Sequence, residues 1–327
     1  MAHAQKMMKL FYGLSNPDLG REIAKKLDQE PGKLKIQKFA NDETFVQLLE
    51  NVRGKNVFLM QTAVAPINDN FMELLIMIDA AKRASADKII VITPNYFYSR
   101  QDRKSGSREP ITAKLVADQL TIAGATRLIT LDLHSDQIQG FFNIPMDNLP
   151  TSQLFMKRAT EMMQGNNPID FVVVSPDGGA VKKSSKIAAS LGTGLAVINK
   201  MRTEPNKASV VADLPIMGTP VKNRTCFIFD DMIDTGGSLF EATRTLKKHK
   251  AKGIYAFITH GIFSNDAWEK LGKSEINKLI VTNSIPLRIK SERVEVLSVA
   301  DYLAKAILRV NNDKSVSVLF HNDGKEV

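Results

Sequence analysis

Short apolar runs recur along the chain and alternate with segments whose apolar residues have helical spacing. The runs are rich in β-branched residues and bounded by polar turns, which is typical of parallel strands buried on both faces. Between them, Leu239, Ala242 and Leu246 share one helical face, and Gly253 follows as a natural stop. This alternation predicts α/β domains with mainly parallel sheets. The strands that we predict are 56–60, 88–92, 127–131, 171–174, 195–198, 226–229 and 254–259.

The length of 327 residues predicts two domains, because single cores usually stop growing at about 250–300 residues. A boundary is expected near residues 148–151, with one set of strand-helix units before it and another after it. Near the C-terminus, Val299, Leu303 and Ile307 form one more helical face, and Ser298 with Asp301 can form a capping box.

Composition narrows the possible partners. The net charge of +9 fits either a solvated basic surface or an attraction for anions. The basic residues are scattered, so we expect no nucleic-acid partner. The single cysteine, Cys226, lies in an apolar run and is expected to be a buried hydrophobe. No apolar stretch approaches the ~20 residues of a membrane span, and no signal segment precedes the first strand, so a cytoplasmic location and no membrane partner are expected.

The strongest local pattern lies at residues 227–238. A buried strand runs into Asp230 and Asp231, and a turn of glycines and hydroxyl residues then leads into a helix. Ligands of open α/β sheets bind at the carboxyl ends of strands, and helix N-termini bind phosphate. A capping turn is the structural alternative, but adjacent carboxylates near a core are costly unless they are used. The segment resembles the phosphoribosyl-binding loop of the type I phosphoribosyltransferase fold. The ribose 5-phosphate-binding residues implied are Asp230, Asp231, Asp234, Thr235, Gly236, Gly237 and Ser238.

Residues 132–142 resemble a signature of the ribose-phosphate diphosphokinases. His134 follows a buried strand and lies close to Asp132. A lone histidine is more often structural than a ligand, and magnesium usually prefers oxygen ligands. The roles of His134 in holding magnesium and ATP therefore come from the resemblance.

Another predicted strand ends in Asp177, Gly178 and Gly179. These glycines can open the backbone to a pyrophosphate, although a plain glycine-rich turn is about as good an interpretation by itself. The family pattern has a glycine where this chain has Ala180. The resemblance implies that Asp177, Gly178 and Gly179 form the pyrophosphate loop and that Asp177 is associated with magnesium.

The basic pair Lys200 and Arg202 follows the strand predicted at 195–198. Such a pair is a weak signal alone, since basic surface pairs are common. The resemblance implies that both are catalytic, and two cations suit the negative charge that develops during phosphoryl transfer.

Two segments of the first half resemble the family's nucleotide site. In residues 95–103, an arginine can stack on adenine and a glutamine can bond to its edge. Residues 39–43 match a hairpin that in the family reaches the adenine of a neighbouring subunit. Here Asn41 replaces the family's aspartate, and Phe39 taken alone is typical of a core position. The ATP-binding residues implied are Phe39, Asn41, Glu43, Arg100, Gln101, Asp102 and His134.

Similar blocks extend from about residue 8 to 320, so the chain resembles class I ribose-phosphate diphosphokinases throughout. The resemblance implies two phosphoribosyltransferase type I-like domains: 8–150 on the nucleotide side and 151–295 on the ribose 5-phosphate side. A helix and strand at 296–320 would pack back on the first domain. It also implies Mg²⁺, transfer of pyrophosphate from ATP to ribose 5-phosphate, a homo-oligomer expected to be a hexamer, and regulation by phosphate or ADP, for which Ser107 and Arg108 offer an anion site.

Two alternatives stay open at this point. A nucleobase phosphoribosyltransferase would need no ATP and would not explain residues 100–101 or the His134 segment. A catalytically silent regulatory relative would account for the departures at Asn41, Gly178, Ala180 and Met201. Retention of Lys200, Arg202 and the whole 230–238 segment argues against silence.

Overall fold

The computed structural model describes residues 7–198 and 215–320, which form two compact units. The first unit contains the described residues up to 150 together with 283–287 and 298–320. The second contains those from 151 to 282 together with 288–297. Lys200, Arg202 and Met201 lie outside the described residues.

Strands and helices alternate along most of the described chain. The strands are β1 (Met8–Tyr12), β2 (Leu34–Lys38), β3 (Thr44–Leu48), β4 (Asn56–Met60), β5 (Lys88–Thr93), β6 (Arg127–Leu131), β7 (Met146–Leu149), β8 (Phe171–Ser175), β9 (Gly194–Ile198), β10 (Ile216–Gly218), β11 (Thr225–Ile233), β12 (Gly253–Gly261), β13 (Lys278–Thr282) and β14 (Val294–Leu297). The α-helices are α1 (Pro17–Lys26), α2 (Ile67–Arg83), α3 (Thr112–Ala123), α4 (Ser152–Met163), α5 (Val181–Leu191), α6 (Gly237–Lys248), α7 (Ala267–Lys273) and α8 (Ala300–Asn311).

The first unit is built on a parallel sheet with the strand order β1-β4-β5-β6-β7. Alternate strand residues, among them Phe11, Val57 and Val91, join the buried faces of α2 and α3 in one core. The helices α1 and α8 pack against each other and bring their own buried faces to this unit. The hairpin of β2 and β3 forms a separate antiparallel ribbon that packs on α2.

The second unit has a sheet with the order β10-β9-β8-β11-β12-β13-β14, in which β10 alone of the described strands is antiparallel. The chain passes outward from β8 to β9 in one direction and from β11 to β12 in the other. The strand order therefore reverses between β8 and β11. Apolar residues of α4 and α5 share a core with one sheet face, where the rings of Phe229 and Phe257 stack 4.6 Å apart. Because right-handed crossovers in opposite directions place their helices on opposite faces, α6 covers the other face.

The predicted α/β class with two mainly parallel sheets is confirmed, and each predicted strand is present. Three local expectations were wrong. The strand β11 continues through Asp230 and Asp231 to Ile233, so the two carboxylates lie in the strand and not after it. Helix α6 ends at Lys248, and Gly253 begins β12.

The third correction concerns the start of α8. Ser298 and Asp301 form no capping box: the backbone N–H of Ala300 donates to Ser298 Oγ, and this hydroxyl donates to Glu22. Among the residues that the structure describes, no helix combines the length and apolar character needed to cross a membrane.

Candidate active site

The acidic end of β11 projects beyond one of its neighbours. Residues Thr225 to Ile228 pair with β8, whereas pairing with β12 continues to Ile233. Asp230 and Asp231 therefore lie at the carboxyl edge of the sheet, beside the reversal of strand order. In open α/β sheets such a reversal opens a crevice in which ligands bind.

The two carboxylates influence each other strongly. The backbone N–H of Asp231 donates to Asp230 Oδ1 at 2.9 Å. Burial raises the pKa of Asp230 to about 7, and the negative charge of Asp231 acts in the same direction. Lys183, in the first turn of α5, opposes this shift. Because the charged form of this pair is unfavourable, a bound cation or hydroxyl donors would stabilise it.

Residues 234–238, which form the loop after β11 and the start of α6, are suited to surround an anion, and we call them the phosphate cradle. Helix α6 begins at Gly237 without a side-chain cap, so its first N–H groups have no partner within the helix. These N–H groups and the helix dipole favour a negative ligand. The side chains of Thr235 and Ser238 are exposed beside them. The arrangement suits a phosphate group.

The two glycines of this cradle differ in what they permit. Gly236 has a left-handed backbone, with φ 72°, and a Cβ there would lie 2.2 Å from the ring of Phe240. At Gly237 a Cβ would meet no atom within 4 Å. Packing and backbone geometry thus require the first glycine, while the second leaves open space over the helix N-terminus.

The predicted pyrophosphate loop joins β8 to α5. The carboxylate of Asp177 accepts hydrogen bonds from the N–H groups of Gly179 (2.9 Å) and Ala180 (3.1 Å), and Ser175 Oγ donates to the Asp177 carbonyl. Ala180 has φ −84° and ψ −3°, a conformation open to any residue, so this loop does not need the family's glycine there. A Cβ at Gly178 would meet no atom within 4 Å.

The residues predicted for the nucleotide belong to the first unit. His134 follows β6 and is exposed, while Asp132 is buried with a left-handed φ of 36°. Arg100 and Gln101 are exposed, and Asp102 is half-buried. The hydroxyl of Thr112, at the start of α3, donates to Gln101 Oε1 at 2.5 Å. Gln101 is therefore already oriented by its own unit.

The hairpin residues Phe39, Asn41 and Glu43 lie together at the exposed connection between β2 and β3. Phe39 is 48% exposed and packs edge-to-face on Phe45, so the expectation of a core position for it was wrong. The side-chain oxygen of Asn41 accepts a hydrogen bond from the N–H of Glu43. An exposed aromatic ring at such a position is suited to contact a ligand or another protein.

The second unit thus brings together the acidic pair, the phosphate cradle and the Asp177 loop. Lys183 was not predicted, although its position in the helix after a glycine-rich turn was a usable signal. The residues described at 7–198 and 215–320 contain no preformed cluster of three or more metal-binding side chains.

Comparison with known proteins gives the family. The sequence model of the N-terminal domain of ribose phosphate pyrophosphokinase matches residues 8–124, and that of the phosphoribosyl synthetase-associated domain matches residues 205–321. The ribose-phosphate pyrophosphokinase of Clostridium acetobutylicum is 44% identical over 325 residues, which cover 99% of this chain and 100% of the relative. The chain belongs to the ribose-phosphate pyrophosphokinase family. The enzyme of that name from Thermotoga maritima is 45% identical over 96% of this chain and 98% of its own.

A solved structure of a related protein shows that the fold is shared as well. The phosphoribosylpyrophosphate synthetase from Mycobacterium smegmatis superposes with a TM-score of 0.87 and is 41% identical. The match covers 94% of this chain and 100% of the solved one. The resemblance to the diphosphokinase family is confirmed, and it includes both units of this ribose-phosphate pyrophosphokinase family member.

Proposed function

We propose that this protein is a ribose-phosphate diphosphokinase, a pyrophosphoryl transferase. It transfers the β,γ-pyrophosphoryl group of ATP to the anomeric hydroxyl of ribose 5-phosphate, and the products are phosphoribosyl pyrophosphate and AMP. The observation that carries the proposal is the acidic pair in β11, followed after a short loop by the helix N-terminus of α6. It occurs in a chain that is 44% identical to a named ribose-phosphate pyrophosphokinase over 99% of its length.

Ribose 5-phosphate binds to the second unit. The free N–H groups at the start of α6 and the hydroxyls of Thr235 and Ser238 hold the phosphate, and Asp234 begins this loop. Asp230 and Asp231 accept hydrogen bonds from the sugar hydroxyls. The pyrophosphate then lies against the loop of Asp177 to Gly179, whose glycines leave the backbone accessible.

ATP binds to residues of the first unit, namely Arg100, Gln101, Asp102 and His134. Arg100 provides a planar cation for stacking on adenine, and Gln101 is oriented by its bond to Thr112. Phe39, Asn41 and Glu43 complete the adenine site of a neighbouring subunit. The exposure of Phe39 supports this role, and Asn41 offers an amide where the family has a carboxylate.

The residues present fit a magnesium ion. Asp230 and Asp231 would supply oxygen ligands, the ligand type that magnesium prefers, and a cation there would offset both the burial and the charge of Asp231 that raise the pKa of Asp230. By family resemblance, Asp177 in the second unit and His134 in the first would each help to hold magnesium. A bound Mg²⁺ supplies positive charge that orients and neutralises phosphate and sugar oxygens.

The reaction is an in-line attack of the anomeric hydroxyl on the β-phosphorus of ATP, and AMP leaves. Lys200 and Arg202 offset the negative charge that develops on the transferred group. We expect positioning and electrostatics to supply most of the rate, because phosphoryl transfer leaves little covalent chemistry for the protein to perform.

We further propose a cytoplasmic homo-oligomer, a hexamer, in which the hairpin of one subunit reaches the ATP site of the next. Regulation by phosphate or ADP at the Ser107–Arg108 segment is part of the same proposal. Neither a nucleobase transferase nor a silent relative gains support from the comparisons.

The test is AMP release from ATP and Mg²⁺, with and without ribose 5-phosphate. We expect sugar-dependent AMP and an equal amount of phosphoribosyl pyrophosphate. Asp231→Asn is the control, since its loss of the sugar-dependent signal excludes a contaminating kinase. A folded wild-type protein that releases no AMP would overturn the proposal.

A further inference from the structure

The chain has one tryptophan, and it stacks on the loop that follows β12. The rings of Trp268, in α7, and Phe263 lie 4.1 Å apart with an interplanar angle of 21°. Phe263 is buried and has a left-handed φ of 53°. A left-handed backbone is strained for a residue other than glycine, and packing of its side chain can offset that strain. Within the described residues, the indole of Trp268 is the aromatic ring that stacks on Phe263.

This loop also contacts the beginning of the phosphate cradle. The N–H groups of Ile262 and Phe263 both donate to the carbonyl of Ile233, at 2.9 and 3.2 Å. The N–H of Ser264 donates to the carbonyl of Asp234 at 3.2 Å. Ile233 is the last residue of β11, and Asp234 is the first residue of the loop that leads to α6. The backbone at the start of the phosphate cradle, at Ile233 and Asp234, is therefore held by hydrogen bonds from the N–H groups of residues 262–264.

We propose that Trp268 is a positioning residue for ribose 5-phosphate, acting through Phe263 on the phosphate cradle. The indole holds Phe263 in its left-handed conformation, and that conformation keeps the three N–H donors on Ile233 and Asp234. Without the indole, the loop relaxes toward ordinary backbone angles and these carbonyls lose their donors. The cradle then shifts relative to the sugar site. This inference rests on the proposed function, because it assigns ribose 5-phosphate to that cradle.

The experiment compares Trp268→Ala with Trp268→Phe. We expect Trp268→Ala to raise KM for ribose 5-phosphate about tenfold while KM for ATP stays within about twofold. Trp268→Phe keeps a ring on Phe263 and should restore most of the wild-type value. Calorimetric titration of ribose 5-phosphate alone should show the same order in Kd, which gives a readout independent of turnover.

Tyr255→Leu is the matched control. Tyr255 lies in the same unit, packs edge-to-face on Phe227 at 6.1 Å, and belongs to the core of α4 and α5. Its replacement should lower the melting temperature without changing KM or Kd for ribose 5-phosphate. The same rise in Tyr255→Leu as in Trp268→Ala would overturn the positioning role, since general loosening would then explain both.

The wild-type assay distinguishes failure of the proposed function from failure of the positioning role of Trp268. If the wild type shows no sugar-dependent AMP, the proposed function fails. If the wild type is active and Trp268→Ala has unchanged KM and Kd for ribose 5-phosphate, the positioning role alone fails. An equal rise of KM for both substrates in Trp268→Ala would also contradict it.

Discussion

The carboxyl edges of the two parallel sheets are built differently. In the first unit the strands follow one another across the sheet in chain order, and the loops after β1, β4 and β5 are tied to one another: Ser15 bonds to Gln61, and Asn95 bonds to Thr62 and Ala63. In the second unit the strand order reverses between β8 and β11, and Gly237 leaves open space over the start of α6. The same fold class thus gives loops bonded to one another in the first unit and, in the second, a crevice and a helix N-terminus that suit an anion.

Two carboxyl groups, the buried Glu73 and the half-buried Asp230, express the same contrast. Burial is the main cause of a raised pKa in both Glu73 and Asp230. Glu73 Oε1 accepts hydrogen bonds from Leu14 N–H at 2.8 Å and from Gln61 Nε2 at 2.7 Å. Asp230 has a second carboxylate, Asp231, as its close neighbour. A carboxyl group supplied with donors by its own fold is structural, whereas one set against another carboxylate needs a ligand.

The largest effect is expected from Lys200, in the segment between β9 and β10 of the second unit. Lys200→Ala should lower kcat about a thousandfold, because in the proposed mechanism it removes a cation that offsets charge in the transition state. Binding of ribose 5-phosphate, measured by calorimetric titration, should stay close to that of the wild type. A comparable loss of sugar binding would contradict a role confined to the transferred group.

Asp230→Asn should separate activity from stability. The variant should lose activity about a hundredfold, because a hydrogen-bond acceptor and the charge of the pair are lost. Steady-state AMP release measures this effect. Asp231→Asn is the matched variant, since it removes the charge that faces Asp230 and should also lower activity.

Asp230→Asn should also stabilise the folded protein when no ligand is bound. The pKa of Asp230 is about 7 in the folded protein against an ordinary value of 3.8, so between these values the folded state retains a proton that the unfolded state has lost. Stability from this group is therefore lost as pH rises through that window. Near pH 8, Asp230→Asn should melt a few degrees above the wild type, and the gap should close toward pH 4. A lower melting temperature near pH 8 would refute this account.

The paired glycines allow a finer test. Gly236→Ala should be destabilised by at least about 1–2 kcal/mol, because an L-residue is strained at its left-handed backbone and its methyl group meets Phe240. Gly237→Ala should fold as well as the wild type, yet raise KM for ribose 5-phosphate about tenfold, since its methyl group occupies space above the helix N-terminus. Thermal melts and substrate titrations of both variants measure the two effects. If Gly237→Ala binds the sugar phosphate normally, the cradle lies elsewhere.

Sequence patterns predicted the central strands of both sheets because their signal is local, whereas β1, β7, β13 and β14 were not predicted. A run such as Val172 to Val174 is apolar on both faces wherever it packs. The end of β11 was missed because aspartates are poor strand formers, and pairing with β12 overrides this preference. The end of α6 was missed for a similar reason: Lys250 adopts a left-handed φ of 62°, which a glycine more often provides.

The sequence predicted which residues belong to the candidate site, but not how they are arranged and bonded. Resemblance indicated Asp177 and the 230–238 segment, but the bonds from Asp177 to two backbone N–H groups depend on the loop conformation. The exposure of Phe39 depends on which surfaces cover the hairpin, which one residue's hydrophobicity cannot reveal. Lys183 was missed because its effect on Asp230 depends on the adjacency of β8 and β11, which is a property of strand order.

The smallest effect is expected at Glu73, and it tests whether the bonded loops after β1 and β4 are purely structural. Glu73→Gln keeps a side-chain oxygen that can accept the bonds from Leu14 and Gln61, so activity and KM for ribose 5-phosphate should match the wild type. Because burial raises the pKa of Glu73, the wild type loses stability as pH rises through that raised value, and the variant should show a flatter dependence. Melting temperatures across acidic to neutral pH measure this difference. A large loss of activity in well-folded Glu73→Gln would show that Glu73 also acts on substrate, and the contrast between Glu73 and Asp230 would then fail.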